Sequence, residues 1–100
     1  MRLRVSRTAR ADLDAIFDYW AGRASPDIAS RLIYSIRDRF FLLAESPDIG
    51  RKSTELGAGV RVFPAGKYLI YYRKARGALQ ILQVLHGARD QAHAFREMKG

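Results

Sequence analysis

The amino-acid sequence predicts an α+β domain in which a hairpin of two helices packs on one face of an antiparallel sheet. Residues 6–46 carry apolar side chains at the spacing of amphipathic helices. Residues 60–85 instead form short apolar segments separated by turns that contain glycine. Helices followed by strands, rather than alternating with them, are typical of the α+β class. We therefore expect the order β-α-α-β-β-β in one domain spanning residues 1–100, with an optional short C-terminal helix after Asp90.

The N-terminal segment predicts a short strand followed by the first helix. Leu3 and Val5 alternate with arginines, which indicates a strand with one buried face. Ser6 or Thr8 can cap the helix that follows, and Gly22 marks its expected end. The expected buried stripe of this helix consists of Ala9, Leu13, Ile16, Phe17 and Trp20. Which strand of the sheet the first strand joins stays open.

A strong start signal predicts the second helix over about residues 25–46. Ser25 supplies a capping hydroxyl, and Pro26 suits the first turn. The expected core stripe is Ala29, Leu32, Ile33, Ile36, Phe40 and Leu43. Only a few residues join the two helices, so we expect an antiparallel hairpin. Tyr34 and Phe41 form a second apolar stripe beside the core, which either the C-terminal helix or a partner protein covers.

Residues 47–59 predict a polar loop, and three strands are expected at 60–63, 67–74 and 79–85. The middle strand carries Tyr68, Ile70 and Tyr72 on one face and Leu69, Tyr71 and Arg73 on the other. The last strand is apolar along most of its length. This predicts a central position in the sheet with both faces covered.

Composition and charge restrict the class of protein. The chain has no cysteine, which excludes disulfides and thiolate metal sites and fits a reducing cytoplasm. It shows no signal peptide and no apolar run of membrane-spanning length, so we expect a cytoplasmic protein without membrane contact. Residues 1–50 hold eight arginines against seven acidic residues, whereas residues 51–100 hold ten basic against three acidic residues. A basic half attracts polyanions or an acidic protein partner, unless it is simply a solvated surface.

The sequence contains no motif for a phosphate-binding loop, a zinc protease or a nucleophilic serine. His86 and His93 are the only histidines, and a strand end between them makes them a poor metal pair. We therefore expect no metal and no cofactor.

One basic set, Arg61, His86 and Arg89, could converge on a single patch and act on RNA. Arg61 can contact a phosphate or carboxylate, His86 can act as a general acid or base, and Arg89 can stabilise developing negative charge. The alternatives are structural. Arg61 could be solvent-facing or pair with a carboxylate such as Glu55, and His86 could bond to a neighbouring loop.

Three tyrosines, Tyr68, Tyr71 and Tyr72, lie among basic residues near the end of the chain. Such a set can stack bases as an aromatic platform. Tyrosines are also ordinary strand residues with a buried ring and a wet hydroxyl, and we favour this second interpretation.

A longer pattern runs over nearly the whole chain. It starts with Ser6, Ala9, Asp12, Leu13, Ile16 and Tyr19, and continues with Leu43, Pro47, Gly50, Glu55, Leu56, Gly59 and Arg61. It closes with Tyr68, Ile70, Tyr72, Arg73, Ile81, Val84, Leu85, His86, Gly87, Arg89 and Asp90. In order and spacing, this pattern resembles the toxins of the RelE/ParE superfamily, and the ParE branch fits best.

The resemblance implies a cytoplasmic bacterial toxin of a type II toxin–antitoxin module. In the ParE branch the target is DNA gyrase, no catalytic residue is expected, and a ParD-like antitoxin folds on the toxin and keeps it inactive. The expected target contacts are Arg61, His86 and Arg89, with nucleic acid involved only through the complex. The expected antitoxin contacts are Tyr34, Phe41, Tyr72 and Arg73.

Two alternatives stay open beside gyrase inhibition. RelE-type ribonucleases cleave mRNA on the ribosome with basic residues on the sheet and an acid–base group near the C terminus, often tyrosine or histidine. This chain has no tyrosine after Tyr72, although Arg61, His86 and Arg89 would suit a ribonuclease. The other alternative is an inactive family member that only binds its antitoxin.

Overall fold

The structure is a computed structural model that describes residues 1–53 and 56–87. Its elements are β1 (Arg2–Val5), α1 (Arg7–Arg23), α2 (Pro26–Glu45), β2 (Arg51–Lys52), β3 (Arg61–Ala65), β4 (Tyr68–Ala75) and β5 (Ala78–His86). The two helices pack against a five-stranded sheet, which confirms the predicted α+β class. The C-terminal helix expected after Asp90 lies outside the described residues, as do Glu55, Arg89 and His93.

Both helices begin at the capping residues that the sequence predicts. The Ser6 hydroxyl accepts a hydrogen bond from the Ala9 amide (3.0 Å), and the Ser25 hydroxyl accepts one from the Ile28 amide (3.1 Å). The predicted stripes are largely confirmed, with Ala9, Ile16, Ala29, Ile36, Phe40 and Leu43 buried and Leu13, Trp20, Leu32 and Ile33 partly buried against the core. Within the described part of the chain, neither helix combines the length and the apolar character needed to cross a bilayer.

The sheet has the strand order β1-β5-β4-β3-β2, so β5 lies between two neighbours, as its apolar sequence predicts. β1 runs parallel to β5, whereas the other three pairs are antiparallel, so the sheet is mixed and not purely antiparallel. The direction of β1 depends on the long crossover through both helices, which no local pattern encodes. The sequence pattern does not predict β2, which falls within the expected loop. Its two residues are both polar and therefore show no alternation of apolar and polar side chains.

A bulge in β5 determines which of its side chains face the helices. The pairing of β4 with β5 shifts after Tyr71 and leaves Leu82 as an extra residue. Helix α1 binds backbone groups at this bulge. The Ser6 hydroxyl donates to the Leu82 carbonyl (2.8 Å), and the Val84 amide donates to Asp12 Oδ2 (2.9 Å). These two bonds couple the register of β5 to the position of α1.

The sheet carries apolar side chains on both faces. On the helix side, Tyr68, Ile70 and Tyr72 join the main core, as the strand alternation predicts. On the opposite face, Val60, Val62 and Tyr71 form a second buried cluster with Leu56, Leu69, Leu82 and Leu85 around it. Because the three tyrosines are buried and divided between two faces, they do not form a base-stacking platform.

Candidate functional site

Arg61, at the start of β3, forms hydrogen bonds that hold the loop following α2 in place. Its guanidinium donates to the Gly50 carbonyl (2.7 Å) and the Asp48 carbonyl (3.3 Å), and lies 3.7 Å from the Asp48 carboxylate. Lys74 contacts the same carboxylate at 3.0 Å, and this contact is the main reason why the pKa of Asp48 is lowered. The structure therefore engages the Arg61 side chain within the fold, with Asp48 as its acidic partner among the described residues.

Tyr72 completes this loop network from β4. Its hydroxyl accepts from the Gly50 amide (2.9 Å) and donates to the Pro47 carbonyl (2.8 Å). A Cβ atom on Gly50 would lie 2.4 Å from that hydroxyl, so a larger residue there would displace it. Burial raises the pKa of the Tyr72 hydroxyl, which keeps it a neutral donor. Contrary to the sequence-based expectation, Tyr72 offers no surface to an antitoxin, because the residue is completely buried.

His86 lies at the other end of the sheet from Arg61. Strand pairing places His86 beside Tyr68, and Tyr68 beside Ala65, which is four residues along β3 from Arg61. With about 3.3 Å per residue along a strand and about 4.8 Å between strands, the Cα atoms of Arg61 and His86 are about 16 Å apart. These two residues therefore do not form the single patch expected from the sequence. Arg89 lies outside the described residues.

The surroundings of His86 are aromatic. Its ring packs edge-on against Tyr68, with 5.2 Å between the centroids, and the Trp20 indole donates to the Tyr68 hydroxyl (2.8 Å). These residues belong to a groove of about 720 Å³ between α1 and the adjoining ends of β4 and β5. We call it the aromatic groove, and its aromatic and charged lining consists of Asp12, Tyr19, Trp20, Lys67, Tyr68 and His86.

Tyr34 and Phe41 are exposed on α2, with 64% and 55% of their surfaces accessible. Phe41 also borders a second groove, of about 460 Å³, between β1 and the two helices. We call it the helix groove, and its lining includes Leu3, Val5, Leu13, Phe17, Ile33 and Phe41, with Arg10, Asp14 and Arg37. Alternation and helical spacing predict core positions for several of these residues. Their partial exposure depends on how β1 and the helices fit together, which the sequence pattern does not show.

Arg73 lies on the face of the sheet that the helices leave uncovered. Its Nε donates to Gln80 Oε1 (3.2 Å), and Gln80 pairs in register with Arg4 of β1. Arg4 and Arg73 are exposed, and none of the five described strands contains an acidic residue. Arg4 of β1 and Arg73 of β4, with the neutral Gln80 of β5 between them, therefore form what we call the basic row. Because the helices pack on the other face, Arg73 lies on a different surface from the exposed stripe of α2.

The sequence over most of the chain matches the model of a known protein family. Residues 3–91 match the family model described as the ParE toxin of the type II toxin-antitoxin system, parDE. The chain belongs to the ParE toxin family. Toxin ParE1 of Caulobacter vibrioides is 34% identical over 87 residues, which cover 83% of this chain and 85% of that protein.

A second relative, named as a RelE toxin, and a solved structure extend the likeness. Toxin RelE2 of Caulobacter vibrioides is 38% identical over 81 residues, covering 81% of this chain and 89% of that protein. A structure described as the chromosomal ParDE TA system from P. aeruginosa is similar with a TM-score of 0.77 and 28% identity, covering 86% of this chain and 95% of that one. The likeness thus extends to toxins that carry either name.

Several positions of the ParE-like pattern have structural roles. Pro47, Gly50, Arg61 and Tyr72 belong to the loop network, and two further positions of the pattern bind the β5 bulge from α1. These positions hold together the fold of this chain, and they do not by themselves identify a target.

Proposed function

We propose that this ParE-family toxin inhibits DNA gyrase by binding it and is neutralised by a ParD-like antitoxin. The observation that carries the proposal is the distance of about 16 Å between the Cα atoms of Arg61 and His86, estimated from strand geometry. A general acid or base must lie within about 3 Å of the proton that it transfers. With its guanidinium held by the loop after α2, Arg61 is poorly placed to act with His86 on one phosphodiester. Inhibition by binding requires no such convergence.

Under this proposal, the two ends of the sheet have different roles. His86, which ends β5, and Arg89, three positions later in the sequence, contact the target. Arg61 acts indirectly, because it holds the loop after α2 in place. Its removal would change the shape of the surface rather than delete a single contact.

The exposed stripe of α2 and the adjoining helix groove support an antitoxin as the partner. Tyr34 and Phe41 leave a large apolar area in solvent, and the helix groove continues that area towards β1. An amphipathic segment can bury its apolar side chains in such a groove. Arg10 and Arg37 line the same groove and suit acidic side chains on that segment. Contact with Arg73 as well would require the antitoxin to extend around to the uncovered face of the sheet.

A second candidate function is mRNA cleavage on the ribosome, as in RelE-type ribonucleases. Two observations favour it: the 38% identity to a toxin named RelE2, and the basic row of Arg4 and Arg73 on the uncovered face. Positive side chains without acidic neighbours on the strands suit a phosphate backbone. This alternative places the substrate on a different face from the one that His86 occupies.

The two functions are separated by assaying purified toxin in parallel for gyrase supercoiling and for mRNA cleavage in a translation extract. We expect loss of supercoiling, intact mRNA, and recovery of supercoiling when the cognate antitoxin is added. The double variant Arg4→Gln, Arg73→Gln serves as a control, because it removes the basic row and leaves His86 unchanged. Full supercoiling at saturating toxin, together with mRNA cuts that this double variant abolishes, would establish the ribonuclease instead.

A further inference from the structure

The aromatic groove lies apart from the helix groove and from the uncovered face of the sheet. The floor of the groove is formed by buried residues, among them Ile16, Tyr68 and Val84. Tyr19, which is 53% exposed, and Lys67 lie at its rim. A volume of about 720 Å³ falls within the range of about 300–1,000 Å³ that small-molecule sites occupy.

Contacts between neighbours hold the aromatic rings of this groove in place. The Arg23 guanidinium lies over the Tyr19 ring at 5.1 Å. Tyr19 and Trp20 pack edge-on, with centroids 5.2 Å apart and ring planes at 80°. Trp20 in turn donates to Tyr68, which packs edge-on against His86. Because the Tyr19 and Trp20 rings are nearly perpendicular, a flat ligand ring that stacks on one of them would point its edge towards the other.

Polar groups in the groove retain hydrogen-bonding capacity. The Tyr68 oxygen accepts the Trp20 indole hydrogen, and its own hydroxyl hydrogen has no acceptor within residues 1–53 and 56–87, although Tyr68 is only 6% exposed. Asp12 uses Oδ2 for the Val84 amide, and its Oδ1 has no donor in the same part of the chain. Lys67 has no ion pair with a described residue. The groove thus offers a donor, an acceptor and a cation beside flat rings.

We propose that the aromatic groove binds a nucleotide. The base stacks on the Tyr19 ring beside Trp20, the edge of the base exchanges hydrogen bonds with the Tyr68 hydroxyl and Asp12, and the phosphate of the nucleotide pairs with Lys67. A heteroaromatic base carries donor and acceptor atoms side by side on its edge, and stacking on aromatic side chains tolerates any base. The aromatic groove includes His86, which the proposed inhibition of gyrase also uses. Nucleotide binding is tested on the free toxin, so the two proposals can fail separately.

Trp20 makes the proposal directly measurable, because it is the only tryptophan in the chain. Purified toxin is titrated with adenosine and cytidine 5′-monophosphate while tryptophan emission is recorded, and binding is confirmed by calorimetry. Ribose 5-phosphate and inorganic phosphate are titrated as ligands without a base. We expect saturable binding of the nucleotides with a Kd on the order of 10–100 μM, as the usual binding energy per ligand atom suggests. The two control ligands should bind at least about tenfold more weakly.

Matched variants locate the site. Tyr19→Ala and Lys67→Gln should each weaken nucleotide binding by about tenfold, as the loss of one stacking or charged contact predicts. Tyr34→Ala and Lys52→Gln remove an exposed tyrosine and an exposed lysine elsewhere, and should leave the Kd unchanged. Thermal melts of all four variants confirm that each is folded before it is titrated.

Several outcomes would overturn the proposal: no saturable binding, equal binding of inorganic phosphate, or unchanged affinity in folded Tyr19→Ala and Lys67→Gln. A hexanucleotide of single-stranded DNA distinguishes the source of the ligand. If it binds more tightly than the monophosphates and stays sensitive to both variants, the groove holds a base of a nucleic-acid chain. If it binds no more tightly, the ligand is a free nucleotide.

Discussion

Replacing Tyr72 with phenylalanine tests whether the loop network stabilises the domain. The variant keeps the buried ring and removes only the hydroxyl, which bonds the Gly50 amide and the Pro47 carbonyl. A buried donor and a partly buried acceptor would then lack their partner. Leaving buried polar groups unsatisfied costs about 1–3 kcal/mol. Taking a loss of about 2 kcal/mol, and about 4–8 °C per kcal/mol for a domain of this size, we expect the Tm to fall by about 8–16 °C.

Thermal and urea denaturation followed by circular dichroism measure this effect. Tyr34→Phe is the matched control, because Tyr34 is 64% exposed and removal of its hydroxyl should change the stability by less than about 0.5 kcal/mol. Gly50→Ala in the Tyr72→Phe background adds a second test. The new Cβ then no longer meets the hydroxyl, although it still lies 2.8 Å from the ring carbon Cε1 of residue 72 and 2.9 Å from the Val62 carbonyl oxygen. Because one of the three close contacts is gone, the two changes together should cost less than their sum. A Tm for Tyr72→Phe within about 2 °C of the wild type would refute the reasoning.

Three further predictions concern the core, a half-buried carboxyl and the partner surface. Ile36→Ala should lower the free energy of unfolding by about 2–5 kcal/mol, and Leu13→Ala by less because Leu13 is only partly buried; a loss under about 1 kcal/mol for Ile36 would show that the helix face is misassigned. Burial raises the pKa of Asp12 above its ordinary value of 3.8, although the hydrogen bond from the Val84 amide acts in the opposite direction. The folded state therefore favours the protonated carboxyl. The stability that Asp12 contributes is fully present below pH 3.8 and is lost as the pH rises through the raised pKa. Asp12→Asn should therefore gain stability relative to the wild type as the pH rises from 3.8 through the raised pKa of Asp12 in urea titrations, and a pH-independent difference would contradict this. Phe41→Asp should weaken antitoxin binding at least about tenfold in calorimetry with an unchanged Tm, whereas a lower Tm of the free toxin would show that Phe41 is covered within the chain.

Local features of the fold could be predicted because neighbouring residues encode them. Ser6 and Ser25 cap the helices through amides three residues ahead, and Ile36 and Phe40 follow one helical face. The alternation in β4 correctly divides Tyr72 from Tyr71 between the two faces of the sheet. Capping depends on a residue and an amide three positions later, and the face on which a side chain lies depends on a repeat of two to four residues. Both can therefore be read from a short stretch of sequence.

The placement of candidate site residues was harder to predict, because it depends on strand register. Arg61 begins one strand and His86 ends another, and the sequence alone allows them to meet. The pairing of β3 with β4 and of β4 with β5 puts them at opposite ends of the sheet. Likewise, alternation predicts the face on which Tyr72 lies, but only the packed loop shows that Pro47 and Gly50 bury its hydroxyl.

The sequence by itself determined the family, the two helices, the order of the main strands and the excess of positive charge in the second half of the chain. Only the tertiary structure decided that β1 runs parallel to β5, that Arg61 serves a loop, and that Tyr19, Trp20 and Tyr68 border one groove. These features join residues from distant parts of the chain, such as Trp20 and Tyr68. Their positions follow from how a crossover closes and how two surfaces pack, and short-range periodicity contains no information about either.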